Sequence, residues 1–143
     1  MASCDFRKIV MKDSFYKAFE DRFRGSKQEV RQRLEVYLPF LEALRPFHRK
    51  FMVLDLGCGR GEWLQLLKEL KFEAIGVDLD QEMVNECESL GLKVRCEDVL
   101  QALKSFRSKS LSLVTGFHIA EHLSFEELRQ VVGEAHRVLK AGG

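Results

Sequence analysis

The apolar positions of this 143-residue chain follow two different spacings, and the change between them falls near residue 50. Upstream of that point, apolar side chains recur every three or four residues, as they do on one face of a helix. The first such face consists of four aromatic residues, Phe15, Tyr16, Phe19 and Phe23. The turn at residues 24–26, Arg-Gly-Ser, interrupts this pattern and ends the first predicted helix.

A second helical face follows a capping box, in which Ser26 and Glu29 are spaced to cap each other's backbone N–H groups. Its apolar members are Val30, Leu34, Tyr37, Leu38 and Leu41. Because proline removes a helical hydrogen bond, Pro39 is expected to kink this helix and Pro46 to mark its end. Residues 12–46 are therefore predicted to form an N-terminal segment of two helices.

From residue 51 onward, short apolar runs alternate with helical patterns. The predicted strands are 51–56, 74–77, 92–96 and 111–117, and the predicted helices are 62–70, 82–90, 99–106 and a last one that opens at Ser124. Asp80 is the expected N-cap of the second helix, and Ser124 with Glu127 forms a capping box at the last. Alternating apolar strands and helices predict an α/β fold, a Rossmann-like parallel sheet with helices on both faces.

The most informative stretch lies between the first strand and the first helix of this core. It carries Asp55, Gly57, Cys58, Gly59 and Gly61. Glycines at alternate positions let the backbone turn tightly and let a ligand approach where a Cβ would collide. A strand, a glycine turn and a helix in this order indicate a cofactor-binding crossover. The spacing differs from that of dinucleotide binders, whose helix N-terminus holds a pyrophosphate, and Asp55 would repel such phosphates.

The pattern D-x-G-x-G-x-G from Asp55 to Gly61 resembles motif I of the class I S-adenosylmethionine (SAM)-dependent methyltransferases. The resemblance implies that SAM is the cofactor and S-adenosylhomocysteine (SAH) the product. It places Asp55, Gly57, Cys58, Gly59 and Gly61 around the bound cofactor. A structural glycine turn that binds no ligand is the alternative interpretation.

The same resemblance gives roles to residues that follow the next two strands. Asp78, at the end of the second strand and followed by Leu79, is expected to bind the ribose of the cofactor, as an acid does in dinucleotide folds. The alternative is a helix cap, a role that suits Asp80 better. Asp98 with Val99 is expected beside the adenine, and a surface turn capped by Asp98 is the alternative.

Residues 118–122, His-Ile-Ala-Glu-His, match the H-x-x-E-H pattern of inverted zinc proteases. That site needs both histidines on one long helix, and the space before Ser124 is too short for one, so no metal is predicted. The segment also resembles the E-H-L stretch after the fourth strand of many small-molecule methyltransferases. His118 is then the candidate general base, since imidazole accepts protons near neutral pH, or a structural histidine at the wall of the pocket. The backbone of Phe117 is expected to line that pocket.

Residues 15–26, together with Tyr-Leu-Pro-Phe-Leu at 37–41, resemble one subgroup of these enzymes. It is the methyltransferase half of the bacterial bifunctional kinase-methyltransferases that terminate O-antigen polysaccharide chains, and the resemblance covers most of residues 13–143. It implies that Tyr16 and Arg24 bind the amino-acid end of SAM. It also implies an oxygen acceptor on a small molecule or glycan, and a role in lipopolysaccharide biosynthesis.

Residues 140–143, Lys-Ala-Gly-Gly, resemble the turn that leads into the fifth of the seven strands of such folds. The chain is therefore expected to be a single domain over 1–143, whose core at 51–143 holds about four strands and lacks its C-terminal part. The fourth strand then becomes an edge with unpaired backbone groups, through which a homo-oligomer could form. A catalytically incomplete SAM-binding module and an interaction protein are the alternatives to an active enzyme.

Composition adds limits to this interpretation. The chain is 45% apolar and 31% charged, as soluble globular proteins are, and its net charge of +1 does not indicate a nucleic-acid partner. Its cysteines lack any zinc or C-x-x-C spacing and are expected to be reduced. They are Cys4, Cys58, Cys87 and Cys96. The sequence shows neither the apolar stretch of a signal peptide nor a membrane-length run, so a cytoplasmic protein is predicted.

Overall fold

A computed structural model describes residues 25–143. The predicted aromatic helix at 15–23, as well as Tyr16, Arg24 and Cys4, lies outside the described residues. The chain divides into two compact units, Met1–Glu35 and Val36–Gly143. The described part of the first unit contains helix α1, Lys27–Glu35, and the predicted capping box, in which Ser26 N donates to Glu29 Oε2 at 2.6 Å.

The second unit opens with helix α2, Leu38–Leu44, and a 3₁₀ turn over Arg45–Phe47. The prediction of one helix kinked at Pro39 is wrong, because the helix is interrupted at residues 36–37. Pro39 instead lies in the first turn of α2, where no helical hydrogen bond needs its missing N–H. Pro46, which was predicted to mark the end of the helix, lies in the 3₁₀ turn two residues after α2 ends at Leu44.

Four parallel strands form one sheet in the order β3-β2-β1-β4. The strands are β1 Met52–Leu56, β2 Glu73–Asp78, β3 Val94–Cys96 and β4 Leu113–Thr115. The helices that follow them in turn are α3 Glu62–Glu69, α4 Gln81–Ser89, α5 Val99–Ser105 and α6 Phe125–Val138. The predicted α/β architecture is confirmed, although β3 and β4 are shorter than expected. Within residues 25–143, no helix is long and apolar enough to cross a membrane.

The sheet is covered by helices on both faces, as the apolar strands predicted. On one face, Leu54 and Leu56 of β1 pack into a buried cluster with residues of α5 and α6. On the other face, Leu64 of α3 and Cys87 of α4 form a second cluster. This face is tightly packed at Gly76 of β2, where an added Cβ would lie 2.5 Å from Leu64 Cδ1. Burying each large apolar side chain contributes about 1.5–3 kcal/mol, so both clusters hold the helices on the sheet.

On the outer side of the fourth strand, some backbone groups are paired. Leu111, just before β4, forms a parallel bridge with Leu139, which follows α6. Leu111 N donates to Val138 O at 2.9 Å, and Lys140 N donates to Leu111 O at 2.8 Å. The expected unpaired edge is therefore wrong for this end of the strand, because α6 returns the chain to the outer side of the sheet.

Candidate functional site

The strand order defines one edge of the sheet as the place for a ligand. From β1 the chain proceeds through β2 and β3 to one side and then returns to β4 on the other side. In open α/β sheets, ligands bind at the carboxyl ends of the strands where the order reverses in this way. The residues at these ends are Asp55 of β1, Asp78 of β2 and Thr115 of β4. The structure thus brings the carboxylates predicted from the sequence to the same edge.

The glycine loop connects β1 to α3 across this edge. Its three glycines have positive φ angles, 69° at Gly57, 51° at Gly59 and 78° at Gly61. Residues with a Cβ rarely adopt such angles, which explains the alternating glycines. Gly57 N and Cys58 N both donate to Val77 O, at 2.8 and 3.0 Å, so the loop crosses the end of β2.

Gly61 has a packing role that the sequence did not reveal. It precedes α3 directly, and an added Cβ would lie 2.6 Å from Leu92 Cδ1 and 2.8 Å from Cys87 Sγ. The absent side chain therefore lets the start of α3 lie against α4 and the residues that follow it. The prediction for Gly61 was close approach to a ligand, whereas its observed neighbours are protein side chains.

Asp78 connects the glycine loop to the loop between β2 and α4. Its Oδ2 accepts a hydrogen bond from Gly59 N at 2.8 Å, and its Oδ1 accepts one from Asp80 N at 3.0 Å. The carboxylate is half-buried. An ionised carboxylate offers about four acceptor positions, so Asp78 can hold the glycine loop and still accept hydrogen bonds from a ligand hydroxyl.

Two further acids at this edge cap helices. Asp80 caps α4, as predicted, by accepting from Glu82 N and Met83 N. Asp98 caps α5, because its Oδ1 accepts from Leu100 N and Gln101 N at 3.0 and 3.1 Å. The cap that the sequence left open for Asp98 is thus present, and its contact with adenine stays a prediction.

Two predicted apolar neighbours of the cofactor differ in exposure. Leu79, which follows Asp78, is 71% exposed. Val99 is instead buried in the core cluster beneath the sheet. Of these two residues, only Leu79 therefore has an accessible apolar surface.

Asp55 is buried at the end of β1, with 2% of its surface exposed. Thr115 lies opposite Asp55 in the β1–β4 register, and its hydroxyl donates to Asp55 Oδ1 at 2.7 Å. Burying a charge is costly unless hydrogen bonds satisfy it. The threonine at the end of β4 therefore supports a carboxylate at the end of β1.

Phe117 belongs to a group of three aromatic rings. Its centroid lies 5.2 Å from that of Tyr37 and 5.5 Å from that of Trp63, and the last two are 6.4 Å apart. Such edge-on and tilted contacts are favourable for aromatic rings. Trp63 is buried, and its Nε1 has no hydrogen-bond partner among the groups that the structure describes. The group joins the first turn of α3 to the loop after β4.

His118 lies in the loop that follows β4, with its side chain 86% exposed and a positive φ of 55°. Its Nδ1 lies 3.6 Å from Glu121 Oε1. Residues Ala120–His122 form a 3₁₀ turn, so His118 and His122 do not share the long helix that a zinc protease requires. In the part of the chain from residue 25 on, no cluster of three His, Cys, Asp or Glu side chains could hold a metal ion.

Comparison with known proteins decides the family. Residues 53–143 match a family model described as a methyltransferase domain. This chain belongs to that methyltransferase family. The match begins in β1 and includes the glycine loop, the acids at the strand ends and α6.

Three similar proteins are consistent with this assignment. A probable S-adenosylmethionine-dependent methyltransferase of Mycolicibacterium smegmatis is 31% identical over 91 residues, which are 64% of this chain and 35% of that protein. The crystal structure of a SAM-dependent methyltransferase from Archaeoglobus fulgidus is 39% identical with a TM-score of 0.78, over 88% of this chain and 54% of that one. The bifunctional kinase-methyltransferase WbdD has a similar fold, with a TM-score of 0.64 at 22% identity, over 72% of this chain and 26% of its own.

These comparisons confirm the resemblance to class I SAM-dependent methyltransferases and the likeness in fold to a kinase-methyltransferase. The chain spans about half the length of the Archaeoglobus protein and about a third of the Mycolicibacterium protein. The comparisons therefore apply to only part of the length of those proteins.

Two buried cysteines are linked at the glycine loop, Cys58 within the loop and Cys87 on α4. The Cys58 thiol hydrogen-bonds to Cys87, and Cys87 Sγ donates to Gly59 O at 3.3 Å. The bond to Cys87, burial and the charges of Asp55 and Asp78 together raise the pKa of Cys58. Cys58 is therefore an uncharged packing residue of the loop, and its proposed contact with the cofactor does not involve a thiolate.

Three residues at or beside the carboxyl edge of the sheet were not predicted from the sequence. Thr115 was missed because its bond to Asp55 depends on the register between β1 and β4. Arg60 and Glu62 were missed because charged residues beside glycines usually face solvent, whereas here Arg60 Nε lies 3.1 Å from a buried Glu62 Oε1. The acid lies in the first turn of α3, where a negative charge favours the helix.

Proposed function

We propose that this chain binds SAM along the carboxyl edge of its sheet and is the cofactor-binding part of an O-methyltransferase. The observation that carries the proposal is the pair of carboxylates, Asp55 and Asp78, placed on either side of a loop whose three glycines have positive φ angles. An acidic edge suits a ligand with an ammonium group and a ribose, and it does not suit a pyrophosphate.

Each residue at this edge is assigned to one part of SAM. Asp78 accepts hydrogen bonds from the ribose hydroxyls while it holds Gly59, and the exposed Leu79 lies beside the adenine. Asp98 is assigned to the adenine amino group through the acceptor capacity that remains after it caps α5. Val99, which is buried in the core cluster, supports the adenine side of the site from within the protein.

The amino-acid end of SAM is assigned to the other side of the loop. Asp55 pairs with the ammonium group, and the backbone at Gly57, Cys58 and Phe117 surrounds the methionine part. Gly61 contributes indirectly, because its missing Cβ lets the start of α3 pack against α4. Tyr16 and Arg24 are assigned to the same end of the cofactor on the family resemblance alone.

SAM supplies an electrophilic methyl group on a sulfonium. The protein has to orient the acceptor oxygen in line with that group and exclude water, since orientation and desolvation provide most of the rate in such displacements. His118, exposed in the loop after β4, is the candidate that takes up the proton of the acceptor hydroxyl. The acceptor is assigned to the small-molecule or glycan class, and a lipopolysaccharide O-antigen chain is the specific candidate, on the resemblance of residues 15–26 and 37–41 to the O-antigen chain-terminating kinase-methyltransferases.

Calorimetric titration of the chain with SAM and SAH tests cofactor binding. Asp78→Asn removes the charge that attracts the ribose hydroxyls and should weaken binding about 10- to 100-fold, the value of one hydrogen bond to a charged group. Asp80→Asn is the matched control two residues away, because asparagine caps a helix as well as aspartate does. It should bind SAM like the wild type.

The result decides between the proposal and its rivals. If SAM and SAH both fail to bind the folded wild-type chain, the cofactor assignment is wrong. If SAM binds and no methyl group reaches hydroxyl acceptors in a screen, the chain is a binding module rather than an active enzyme. A His118→Ala variant with unchanged turnover would remove that histidine from the proposed chemistry.

A further inference from the structure

Asp55, which is buried, and Thr115, which is half-buried, form a pair at the point where the order of the strands reverses. Thr115 is the last residue of β4, and Asp55 is its register partner on β1. The hydroxyl-to-carboxylate distance of 2.7 Å is typical of a strong hydrogen bond to a charged acceptor. The pair is separated by 60 residues in sequence, so only the parallel pairing of β1 with β4 brings it together.

Threonine is well suited to hold this carboxylate in one orientation. Its β-branched side chain strongly restricts χ1, so the hydroxyl points in a fixed direction. Asp55, which is buried, needs such donors to remain charged. A fixed charge attracts a cationic group more strongly than one that must reorient when the ligand arrives.

The segment after Thr115 is itself held in place. Ile119 lies over the glycine loop, because a Cβ at Gly57 would be 3.7 Å from Ile119 Cδ1. At Gly116, an added Cβ would lie 2.9 Å from Ile119 Cγ2. The end of β4 therefore packs against the glycine loop and cannot shift independently of it.

We propose that Thr115 is a positioning residue for the amino-acid end of the cofactor. It acts through Asp55: its hydroxyl fixes the carboxylate that binds the ammonium group of SAM. This inference rests on the proposed function. It predicts that loss of the hydroxyl affects only ligands that carry the ammonium group.

The test compares two ligands of the 143-residue chain that differ in that group. SAH carries the amino acid, whereas 5′-methylthioadenosine keeps the adenosine and the sulfur without it. Thr115→Val keeps the shape and stiffness of the side chain and removes the hydroxyl. It should weaken SAH about tenfold, the lower end of the range for a hydrogen bond to a charged group, and leave 5′-methylthioadenosine within about twofold of the wild type.

Thr115→Ser restores a hydroxyl and should recover most of the affinity for SAH. Melting temperatures establish that each variant is folded, and Thr115→Ala serves as the second hydroxyl-free variant if valine prevents folding. In an Asp55→Asn background, Thr115→Val should cause no further loss, because the two residues act as one unit.

Each outcome has a distinct meaning. Equal weakening of both ligands, or of neither, overturns the role of Thr115, as does an additive loss in the Asp55→Asn background. If the wild-type chain binds neither ligand, the proposed function itself fails, and the positioning role falls with it. Selective loss of SAH that serine restores supports both.

Discussion

The backbone N–H of Gly59 donates to the carboxylate of Asp78 at 2.8 Å, so the end of β2 holds the loop that follows β1. The second oxygen of the same carboxylate accepts from Asp80 N at 3.0 Å, just before α4 begins. Two loops that the proposed cofactor must contact at once are thereby fixed to a single side chain. The site is preorganised before any ligand arrives.

Replacing this side chain by alanine should destabilise the protein even without a cofactor. Asp78→Ala leaves Gly59 N and Asp80 N without their acceptor, and each such loss costs about 1–3 kcal/mol where the group is shielded from water. Urea unfolding in the absence of SAM measures the effect. Asp78→Asn keeps one acceptor oxygen and should lose less, and an alanine variant as stable as the wild type would show that the two bonds contribute nothing.

Among substitutions in the glycine loop that leave the charge unchanged, Gly61→Ala should destabilise the protein most. It combines a positive φ of 78° with a Cβ only 2.6 Å from Leu92 Cδ1, and strain with overpacking costs about 2–4 kcal/mol. Gly133→Ala is the matched control, since an added Cβ on α6 meets nothing within 4 Å. It should stabilise the helix by about 0.5–1 kcal/mol. Thermal unfolding of both variants gives the comparison.

The capping box at the start of α6 should make stability depend on pH. Ser124 donates from its hydroxyl and its backbone N–H to Glu127 Oε2, and these bonds lower the pKa of Glu127. A carboxyl whose pKa is lower in the folded state stabilises the protein above its unfolded pKa and loses that effect as pH falls through the folded pKa. The contribution should therefore be present at neutral pH and be lost as pH falls through the folded pKa of Glu127, which lies below the ordinary pKa of a glutamate carboxyl.

Glu127→Gln separates the cap from its titration, because glutamine keeps an acceptor oxygen for the capping box. Unfolding curves of wild type and variant between neutral and acidic pH should converge once pH falls below the folded pKa of Glu127. A difference that stays constant over the whole range would contradict the assignment to Glu127.

The cysteines of the described residues should differ sharply in reactivity. Cys96 is exposed, whereas Cys58 and Cys87 are buried, and the pKa of Cys58 is raised by its bond to Cys87. Since only an accessible thiolate reacts quickly, a thiol reagent should modify Cys96 in the native protein and leave the other two until the protein unfolds. Cys96→Ser should remove one fast equivalent, and Cys58→Ser should remove none.

Trp63 is the chain's single tryptophan and is therefore a clean probe of the site. It is 3% exposed in the first turn of α3, in contact with the rings of Tyr37 and Phe117. Its native emission should lie at shorter wavelength than in urea and change when SAM binds beside the glycine loop. Phe117→Leu should alter the emission of the native protein and leave that of the unfolded protein unchanged.

Local features of this chain could be predicted from sequence because their partners are close along it. The caps Asp80 and Ser124 lie two or three residues from the groups they bind, and the glycines of the loop reflect the backbone angles required there. Features that depend on register could not be predicted. Thr115 meets Asp55 across 60 residues, and Gly61 meets Leu92 only because α3 and α4 lie on the same face.

The interruption between α1 and α2 shows a different limit. Apolar spacing from Val30 to Leu41 fits one continuous helix, and a proline usually bends such a helix near its own position. The chain instead leaves the helix after Glu35, four residues before Pro39, and uses Pro39 to start a new one. Periodicity locates the apolar face, but it does not show where the backbone stops being helical.

The double attachment of Asp78 also limits how this fold can be redesigned. In nucleotide enzymes, preference for a 2′-phosphate over a free ribose goes with an arginine near the end of the second strand. Making that exchange at Asp78 would free two amides, those of Gly59 and Asp80, while it altered ligand preference. A designer would first have to provide a substitute acceptor for both amides, so specificity and loop order would have to be engineered together.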